Sequence, residues 1–250
     1  MKIAVYTSVF GGKGELQSPS NLSSLESNVD FFCITDNEDL KSDLYQISIV
    51  NPEFKDVAKN ARKVKICGFP GIEKYDLAVW HDISIKLDLA QFNKLIADSK
   101  AKTISVFHHN RYCLYLEAVS IVRQKKDHAL RILVQVARYF LEGYPSNNML
   151  NETGIMVTVP SEYFGSALQT VWWKEVENWS RRDQISLVYS AWKANVTINL
   201  LDGGGHLNPY SEFIGHSYGH YIDTNPLRFF NNRIIRIGVA KLLYEMRRRR

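Results

Sequence analysis

Two aspartates hold positions at which a carboxylate could do chemistry, and Asp82 is the first of them. It follows residues 77–80, an apolar run that is too short for a typical helix and is typical of a strand buried on both faces. Ligands of open α/β sheets collect beyond the carboxyl ends of the strands, so an acid there is a candidate site residue. The alternative is structural: Asp82 would begin a turn, and His81 would be an ordinary surface histidine.

The second aspartate, Asp183, lies in the polar segment 180–184. Ser180 and Asp183 have the spacing of a capping box at the start of a helix, which would give Asp183 a purely structural role. Arg181, Arg182 and this carboxylate at a helix amino terminus could equally hold an anion or a sugar hydroxyl. The local sequence leaves both interpretations open.

Further polar residues follow the predicted strands 3–9, 29–36 and 103–107. Asp36, at the end of the second strand, could bind a ribose or a base, or it could simply start a turn. The predicted strand 103–107 runs directly into His108 and a neighbouring histidine. Adjacent side chains of an extended chain point in opposite directions, so a two-histidine metal clip is not expected here.

Basic residues cluster in the predicted helix 57–67. Arg62 and Lys65 lie three positions apart and share a face, which suits a diphosphate. Such a cluster is more commonly a solvated helix face. The glycines of segment 11–14, after the first strand, would let the backbone approach a phosphate or a base, but they lack the spacing of a known phosphate loop.

The order of the elements predicts one α/β domain over residues 1–226, with a mixed, mostly parallel sheet flanked by helices. Helix 161–178 carries tryptophans at core spacing. Residues 202–225 read as a glycine- and histidine-rich mobile loop that could close over a ligand. Residues 227–250 are expected to form a basic amphipathic helix that packs on the domain or lies on an anionic membrane.

Composition narrows the class of protein. The chain has 250 residues, 45% of them hydrophobic, enough for one domain with a sizeable core. A net charge of +5, much of it in the four terminal arginines, permits anionic partners, although no nucleic acid partner is predicted. Three dispersed cysteines without a CxxC pair exclude a disulfide framework and favour a reducing compartment. The start lacks a signal cleavage site, so we expect a cytoplasmic protein or one at the cytoplasmic face of a membrane.

The chain resembles a glycosyltransferase-like family of the GT-A type, formerly described as a domain of unknown function, with bacterial members and plant members linked to mucilage polysaccharides. The similarity covers about residues 2–201 and depends on the order of several short pieces. Those pieces are segments 2–11, 31–37, 60–65, 80–85, 108–111, 113–117 and 180–184.

What the resemblance implies is a nucleoside-diphosphate-sugar donor, with a UDP-sugar favoured, and a glycan or glycolipid acceptor. A divalent metal, manganese or magnesium, would bridge the phosphate oxygens. Asp82 takes the place of the first carboxylate of an Asp-x-Asp motif, but Ser84 occupies the second acidic place. One carboxylate and one hydroxyl are a weak site for a hard cation. Either His216 or His220 therefore supplies another metal ligand, or basic residues replace the metal.

The resemblance also implies roles for the remaining site residues. Asp183 would lie nearest the acceptor or the reacting carbon, as a base in an inverting transfer or as a stabiliser of the oxocarbenium-like state in a retaining one. The other predicted donor-binding residues are, for the nucleoside, Thr7, Ser8 and Asp36; for the diphosphate, Arg62 and Lys65; and, without assigned roles, His108, Arg111, Glu152, Arg182 and Gln184.

The sequence thus predicts a metal-assisted glycosyltransferase that transfers a hexosyl or pentosyl group. A rival hypothesis is a noncatalytic GT-A-fold protein that binds anionic ligands or a membrane surface and has lost chemistry with its second acid. Hydrolysis of a lipid or sugar conjugate is a third hypothesis, and it is disfavoured.

Overall fold

A computed structural model describes residues 1–111, 113–146, 148–205 and 207–215. The predictions for His216, His220 and the helix 227–250 lie outside the described residues. In the described part of the chain, no helix is long and apolar enough to cross a membrane.

Seven strands form the central sheet, in the spatial order β3-β2-β1-β4-β7-β6-β8. All neighbouring pairs are parallel except those of β7, which runs antiparallel to β4 and to β6. The predicted α/β class with a mixed, mostly parallel sheet is therefore confirmed. The strands are β1 Ile3–Val9, β2 Val29–Thr35, β3 Gln46–Ile49, β4 Leu77–His81, β6 Ile104–His108, β7 Asn151–Thr158 and β8 Asn199–Gly204, while β5 Ile85–Leu87 and β9 Ser211–Phe213 form a separate antiparallel pair.

In the described part of the chain, the α-helices that flank the sheet are α1 Val57–Cys67, α2 Phe92–Ser99, α3 Leu114–Arg123, α4 Ala129–Leu141, α5 Pro160–Tyr163, α6 Ala167–Asn178 and α7 Asp183–Ala194. The central strands β1 and β4 are buried along their whole length, as their mostly apolar sequences favour. Trp80 and Trp172 belong to the core on the α1 and α6 side of the sheet. Helices α3, α4 and α7 share a second core of their own.

Two predicted elements differ from the structure. The helix expected over 161–178 is divided into α5 and α6, because the chain turns at Gly165, whose φ of 81° lies in the left-handed region. The segment expected to be a mobile loop from residue 202 is partly a strand. Its β9 portion pairs with β5, so its backbone hydrogen bonds are satisfied by the body of the protein.

Candidate functional site

A cavity of about 400 Å³ opens where β4 ends, and several parts of the chain line it. The turn between β4 and β5 contributes Asp82 and Ser84, the first residues of β7 contribute Glu152 and Thr153, and α7 begins at Asp183. Because β7 is antiparallel to β4, its amino end lies beside the carboxyl end of β4, and the backbone N–H of Asp82 donates to the Gly154 carbonyl at 2.7 Å. The topology therefore brings together two aspartates that are a hundred residues apart in the sequence.

Two cations from α1 join these aspartates. Lys65 Nζ lies 2.6 Å from Asp183 Oδ2 and 3.3 Å from Asp82 Oδ1. Arg62 lies 3.1 Å from Asp183 through Nε and 3.5 Å from Asp82 through a terminal nitrogen. Thr153 accepts a hydrogen bond from Lys65 at 2.9 Å and donates one to Asp183 at 2.8 Å. We call these five residues the charged cluster.

Burial divides the cluster into an inner and an outer part. The Lys65 side chain has no exposed surface, whereas Arg62 and Asp82 retain about a fifth to a quarter of theirs, at 19% and 24%. A fully buried ammonium requires charged partners, and Lys65 has two. The sequence predicts that Lys65 binds a diphosphate; in this structure its ammonium group is buried and pairs with the two carboxylates.

Asp183 is ionised in this setting. Burial opposes its ionisation, but the charges of Arg62 and Lys65 and the hydrogen bond from Lys65 outweigh that effect and hold the pKa of Asp183 well below its usual range. Burial lowers the pKa of Arg62, yet Asp183 and Asp82 raise it overall. Both oxygens of Asp183 are engaged by cations, so this carboxylate is a poor proton acceptor and a strong electrostatic anchor.

The capping-box interpretation of Asp183 is wrong. The N-cap of α7 is Arg182, and no side chain caps the helix. The Ser180 hydroxyl instead donates to Asp127 at 2.7 Å and accepts from the backbone N–H of Arg182 at 3.0 Å. The carboxylate of Asp183 is consequently available to the cluster, and the amino end of α7 lies at the cavity.

His81 is neither a surface residue nor a group facing the cavity. Its ring is buried, with Nδ1 lying 3.1 Å from the Ile85 carbonyl and Nε2 lying 3.1 Å from the Tyr45 hydroxyl. Since a carbonyl can only accept, Nδ1 carries the proton and Nε2 accepts from Tyr45. Burial lowers the pKa of His81 to about 4, so the ring is neutral at pH 7 and fixes the turn that carries Asp82.

The described residues do not by themselves fit a divalent metal. Asp82 Oδ1 accepts a hydrogen bond from Trp80 Nε1 at 2.9 Å and also lies beside Lys65 and Arg62. Ser84 is buried and lines the cavity, but it adds only one hydroxyl. Among the residues that the structure describes, no group of three or more His, Cys, Asp or Glu could hold a metal. Hard cations take six or more oxygen ligands, so a metal here would need donors from elsewhere.

A second cavity, of about 200 Å³, adjoins the first and lies at the end of β1. Arg62, Asp82 and Ser84 line both cavities and form the junction between them. Ser8 and Lys13 line the second cavity but not the first. The Ser8 hydroxyl is buried there and has no hydrogen-bond partner in the described part of the protein. A buried hydroxyl beside a cavity favours a ligand that completes its hydrogen bonds.

Two residues predicted to bind the nucleoside have other surroundings. Thr7 is completely buried and does not line either cavity. Asp36 accepts two hydrogen bonds from the backbone N–H of Gly11, at 2.9 and 3.1 Å. Gly11 has a φ of 60°, so Asp36 stabilises the left-handed turn after β1, which is a different turn from the one that Asp36 was expected to start.

One wall of the larger cavity carries three cations, Arg111, Lys126 and Arg182. Arg111 is paired with the buried Glu117 at 2.6 Å. Burial and the neighbouring Arg182 lower the pKa of Lys126, and burial and Arg62 lower that of Arg182 against the opposing effect of Asp183. In the described ranges, neither Lys126 nor Arg182 has a carboxylate within ion-pair distance. This wall is therefore suited to oxygen-rich groups of a substrate.

The remaining predicted residues are divided between the cavity and its surroundings. Glu152 and Gln184 line the cavity, whereas His108 does not. The neighbouring His109 does line it, and its Nε2 lies 3.8 Å from Glu152. A Cβ at Gly205 would lie 1.7 Å from Glu152 Oε2, so only glycine at that position leaves room for this carboxylate.

Sequence reasoning missed several residues of the site, which are Lys13, His109, Glu117, Lys126 and Thr153. Lys126 lies in an ordinary turn between two helices, and Thr153 lies in a strand, so neither has a local signal. His109 and Glu117 lie in or beside segments that carry the family resemblance. The sequence does not show which side chains of those segments face the cavity.

Comparisons with known proteins give one family match and several structural similarities. Residues 1–202 match the family model described as the TOD1/MUCI70 glycosyltransferase-like domain. No curated protein matches the sequence. The apo structure of the bifunctional glycosyltransferase WbbM is similar at 10% identity, with a TM-score of 0.45, over 80% of this chain and 38% of that chain. Mouse xyloside xylosyltransferase 1, in its apo form, is similar at 6% identity, with a TM-score of 0.41, over 80% of this chain and 84% of that chain.

Proposed function

Because the chain belongs to the TOD1/MUCI70 glycosyltransferase-like family, we propose that it transfers a sugar from a nucleoside-diphosphate donor, with a UDP-sugar favoured, to a glycan or glycolipid hydroxyl. The observation that carries the proposal is the junction of two cavities at Arg62, Asp82 and Ser84. A nucleotide sugar is an elongated ligand with a charged centre, and the two cavities with their charged junction match that order of groups.

The donor is oriented with its nucleoside in the smaller cavity, where Ser8 and Lys13 lie, and its sugar in the larger one. The diphosphate then lies at the junction, beside Arg62. During transfer the bond between the anomeric carbon and the diphosphate oxygen breaks, and the diphosphate leaves with the electron pair. The acceptor oxygen bonds to the anomeric carbon and its hydroxyl proton is lost. Arg62 stabilises the charge that develops on the leaving group.

Asp183 is assigned an electrostatic role beneath the reacting sugar. An ionised carboxylate held in place by Lys65 and Arg62 stabilises positive charge on an oxocarbenium-like carbon. The proton of the acceptor goes instead to Glu152, which lines the same cavity and is paired with His109. A carboxylate with a histidine beside it can receive a proton and pass it onward.

A divalent metal remains a prediction from the resemblance. Bound to the diphosphate, manganese or magnesium would neutralise leaving-group charge. The described donor set of Asp82 and Ser84 does not complete such a site, so no step is assigned to the metal. Its requirement is tested by measuring transfer after chelation with EDTA and after readdition of manganese.

The proposed function is tested by a screen of nucleotide sugars, followed by donor hydrolysis and transfer with Asp82→Asn, Asp183→Asn and Glu152→Gln. We expect wild-type turnover of at least one donor and a loss of about a hundredfold or more in each variant that stays folded. Full activity in both aspartate variants would show that the site is elsewhere. Calorimetry that detects no nucleoside diphosphate, with or without manganese, would favour the noncatalytic rival.

A further inference from the structure

A second group of basic residues lies outside the catalytic cavity, around a hollow of about 320 Å³. It lies between the start of α1, the start of α4 and the segment before α7. We call it the outer basic pocket. Its charged lining consists of the cations Lys55, Lys59, Arg131 and Arg181 and the carboxylates Asp56 and Asp127.

Both carboxylates of this pocket are already occupied. Asp56 accepts from the backbone N–H of Ala58 at 3.0 Å, as the N-cap of α1, and pairs with Arg181 at 3.0 Å. Asp127 accepts from the Ser180 hydroxyl and from the backbone N–H groups of Arg181 and His128, at 2.6 to 3.0 Å. The two acids therefore neutralise Arg181 and hold the loops together. In the described residues, the other three cations have no carboxylate within ion-pair distance.

Lys59 is the buried member of this group. Its Nζ donates to the Glu177 carbonyl at 2.5 Å, which leaves it further hydrogens to donate. Burial and the nearby Arg131 lower the pKa of Lys59, although Asp56, Asp127 and Glu177 oppose the shift. Two cations so placed repel each other, and a bound anion would relieve that repulsion.

The start of α4 adds to the positive potential. Its N-cap, His128, makes no side-chain capping bond, and its first turn contains no acid but does contain Arg131. A helix amino terminus favours negative charge, so a cation in the first turn is unfavourable unless an anion balances it. Asp127 supplies one carboxylate at this helix end through the His128 N–H at 2.6 Å, and the helix end and the side-chain cluster both favour an additional anion.

We propose that the outer basic pocket binds a phosphate group. The guanidinium of Arg131 can hold two phosphate oxygens, and Lys59 can donate to a third. The phosphate belongs either to a lipid headgroup or to a free phosphorylated ligand, since both present the same oxygens.

This phosphate site is distinct from the donor site, although one wall separates the two. Lys126 and Arg182 line the catalytic cavity, whereas their chain neighbours Asp127 and Arg181 line the outer basic pocket. The alternation follows from the chain path, which places successive side chains on opposite sides of the wall. Binding at each site can therefore be removed separately.

The test compares three double variants that lose the same two charges. Lys59→Met with Arg131→Gln changes the outer basic pocket, Lys126→Met with Arg182→Gln changes the catalytic cavity, and Lys41→Met with Arg123→Gln removes two exposed charges elsewhere. Circular dichroism and thermal unfolding confirm that each is folded. Binding is measured by calorimetry with inorganic phosphate and by flotation with phosphatidic acid vesicles against phosphatidylcholine vesicles.

We expect the outer variant to lose about tenfold or more in affinity for phosphate, for phosphatidic acid vesicles, or for both, and the surface control to change less than twofold. Binding to vesicles alone identifies the headgroup as the source, and binding of inorganic phosphate identifies a free ligand. Equal binding by the outer variant, loss confined to the cavity variant, or no binding of either probe by the wild type would overturn the proposal.

If the outer double variant does not fold, Arg131→Gln alone provides the test, with Arg123→Gln as its control. Arg131 is only partly buried, so this substitution is expected to preserve the fold and to weaken binding several-fold. No transfer reaction is measured in any arm. A failure of the proposed function would therefore leave this result unaffected.

Discussion

Two buried networks of charged groups in the described residues differ in what surrounds them. In the helical layer, Glu175 on α6 accepts from Tyr139 at 2.7 Å and pairs with Arg138. Tyr139 stacks on Tyr189 with ring centroids 3.7 Å apart, which closes the network with aromatic rings. In the charged cluster no such layer of aromatic rings covers one side, because the charged groups form part of a cavity wall.

The two networks differ in that the charged groups of one stabilise the packing of helices, whereas those of the other can be reached by a ligand. None of Arg138, Tyr139, Glu175 and Tyr189 lines either cavity of the site, so their hydrogen bonds can only hold helices together. The charged cluster also pairs its charged groups with one another, but it leaves 24% of the Asp82 side chain exposed to solvent. A buried ion pair is thus a candidate for function when a cavity gives a ligand access to it.

The largest expected loss of stability comes from removing the buried ammonium group of Lys65 from the charged cluster. Lys65→Met leaves Asp183 buried beside one cation fewer, so we expect the free energy of unfolding to fall by roughly 3–5 kcal/mol. Urea denaturation measures it, with Lys63→Met on the same helix as the exposed control. Adding Asp183→Asn to Lys65→Met should restore much of the stability without restoring transfer. Equal stability of Lys65→Met and wild type would contradict the pairing.

The neutral state of the buried His81 predicts a pH dependence of the free energy of unfolding. Its folded pKa of about 4 lies below the ordinary value of 6.5, so the unfolded chain binds the proton first as the pH falls. Stability present above pH 6.5 is therefore lost between 6.5 and 4, by up to about 3 kcal/mol from this residue. Unfolding at pH 7, 5.5 and 4.5 should show this loss in the wild type and a flatter profile in His81→Gln. An equal pH dependence of the free energy of unfolding in the wild type and in His81→Gln would refute the assignment of a neutral, buried His81.

The helical network provides the matched structural case. Glu175→Gln should lower the free energy of unfolding by about 2 kcal/mol, because Arg138 loses a charged partner but keeps Glu142 at 2.9 Å. Donor turnover per folded molecule should remain within twofold of wild type, measured below the unfolding transition. A loss of turnover comparable to that of Asp183→Asn would remove the distinction between the two networks.

The smallest effect is expected at Asp36. Asp36→Asn keeps an oxygen acceptor for the Gly11 N–H but loses the charge, so stability should change by about 1 kcal/mol or less. Nucleoside diphosphate affinity should change less than threefold, because this side chain holds a turn. A tenfold loss of affinity would instead support direct contact with the nucleoside.

Most of the fold could be predicted from local sequence, whereas the site could be predicted only in part. Apolar runs that are buried on both faces, such as β1 and β4, predict their own strands, and the helix 57–67 was predicted with the observed bounds. Asp82 could be found because a polar residue directly follows such a run. The role of Lys65 could not, since its helical periodicity is the same whether it contacts solvent or a buried carboxylate a hundred residues away.

The capping-box error has the same origin. Ser180 and Asp183 have the right spacing, but Asp127 from a different segment takes the Ser180 hydroxyl, and α1 supplies two cations to Asp183. A tertiary contact thus outweighs a local motif worth about 1 kcal/mol. Residues such as Thr153 and Lys126 enter the site through strand pairing and helix packing alone, which no local pattern encodes.

The most direct test of the central claim is calorimetric titration of UDP into wild-type protein, Arg62→Gln and the surface control Arg123→Gln. The claim is that the junction at Arg62, Asp82 and Ser84 holds the donor diphosphate. We expect binding to the wild type, a loss of affinity of tenfold or more in Arg62→Gln, and a change of less than twofold in the control. Equal affinity of Arg62→Gln and wild type for UDP would contradict the claim.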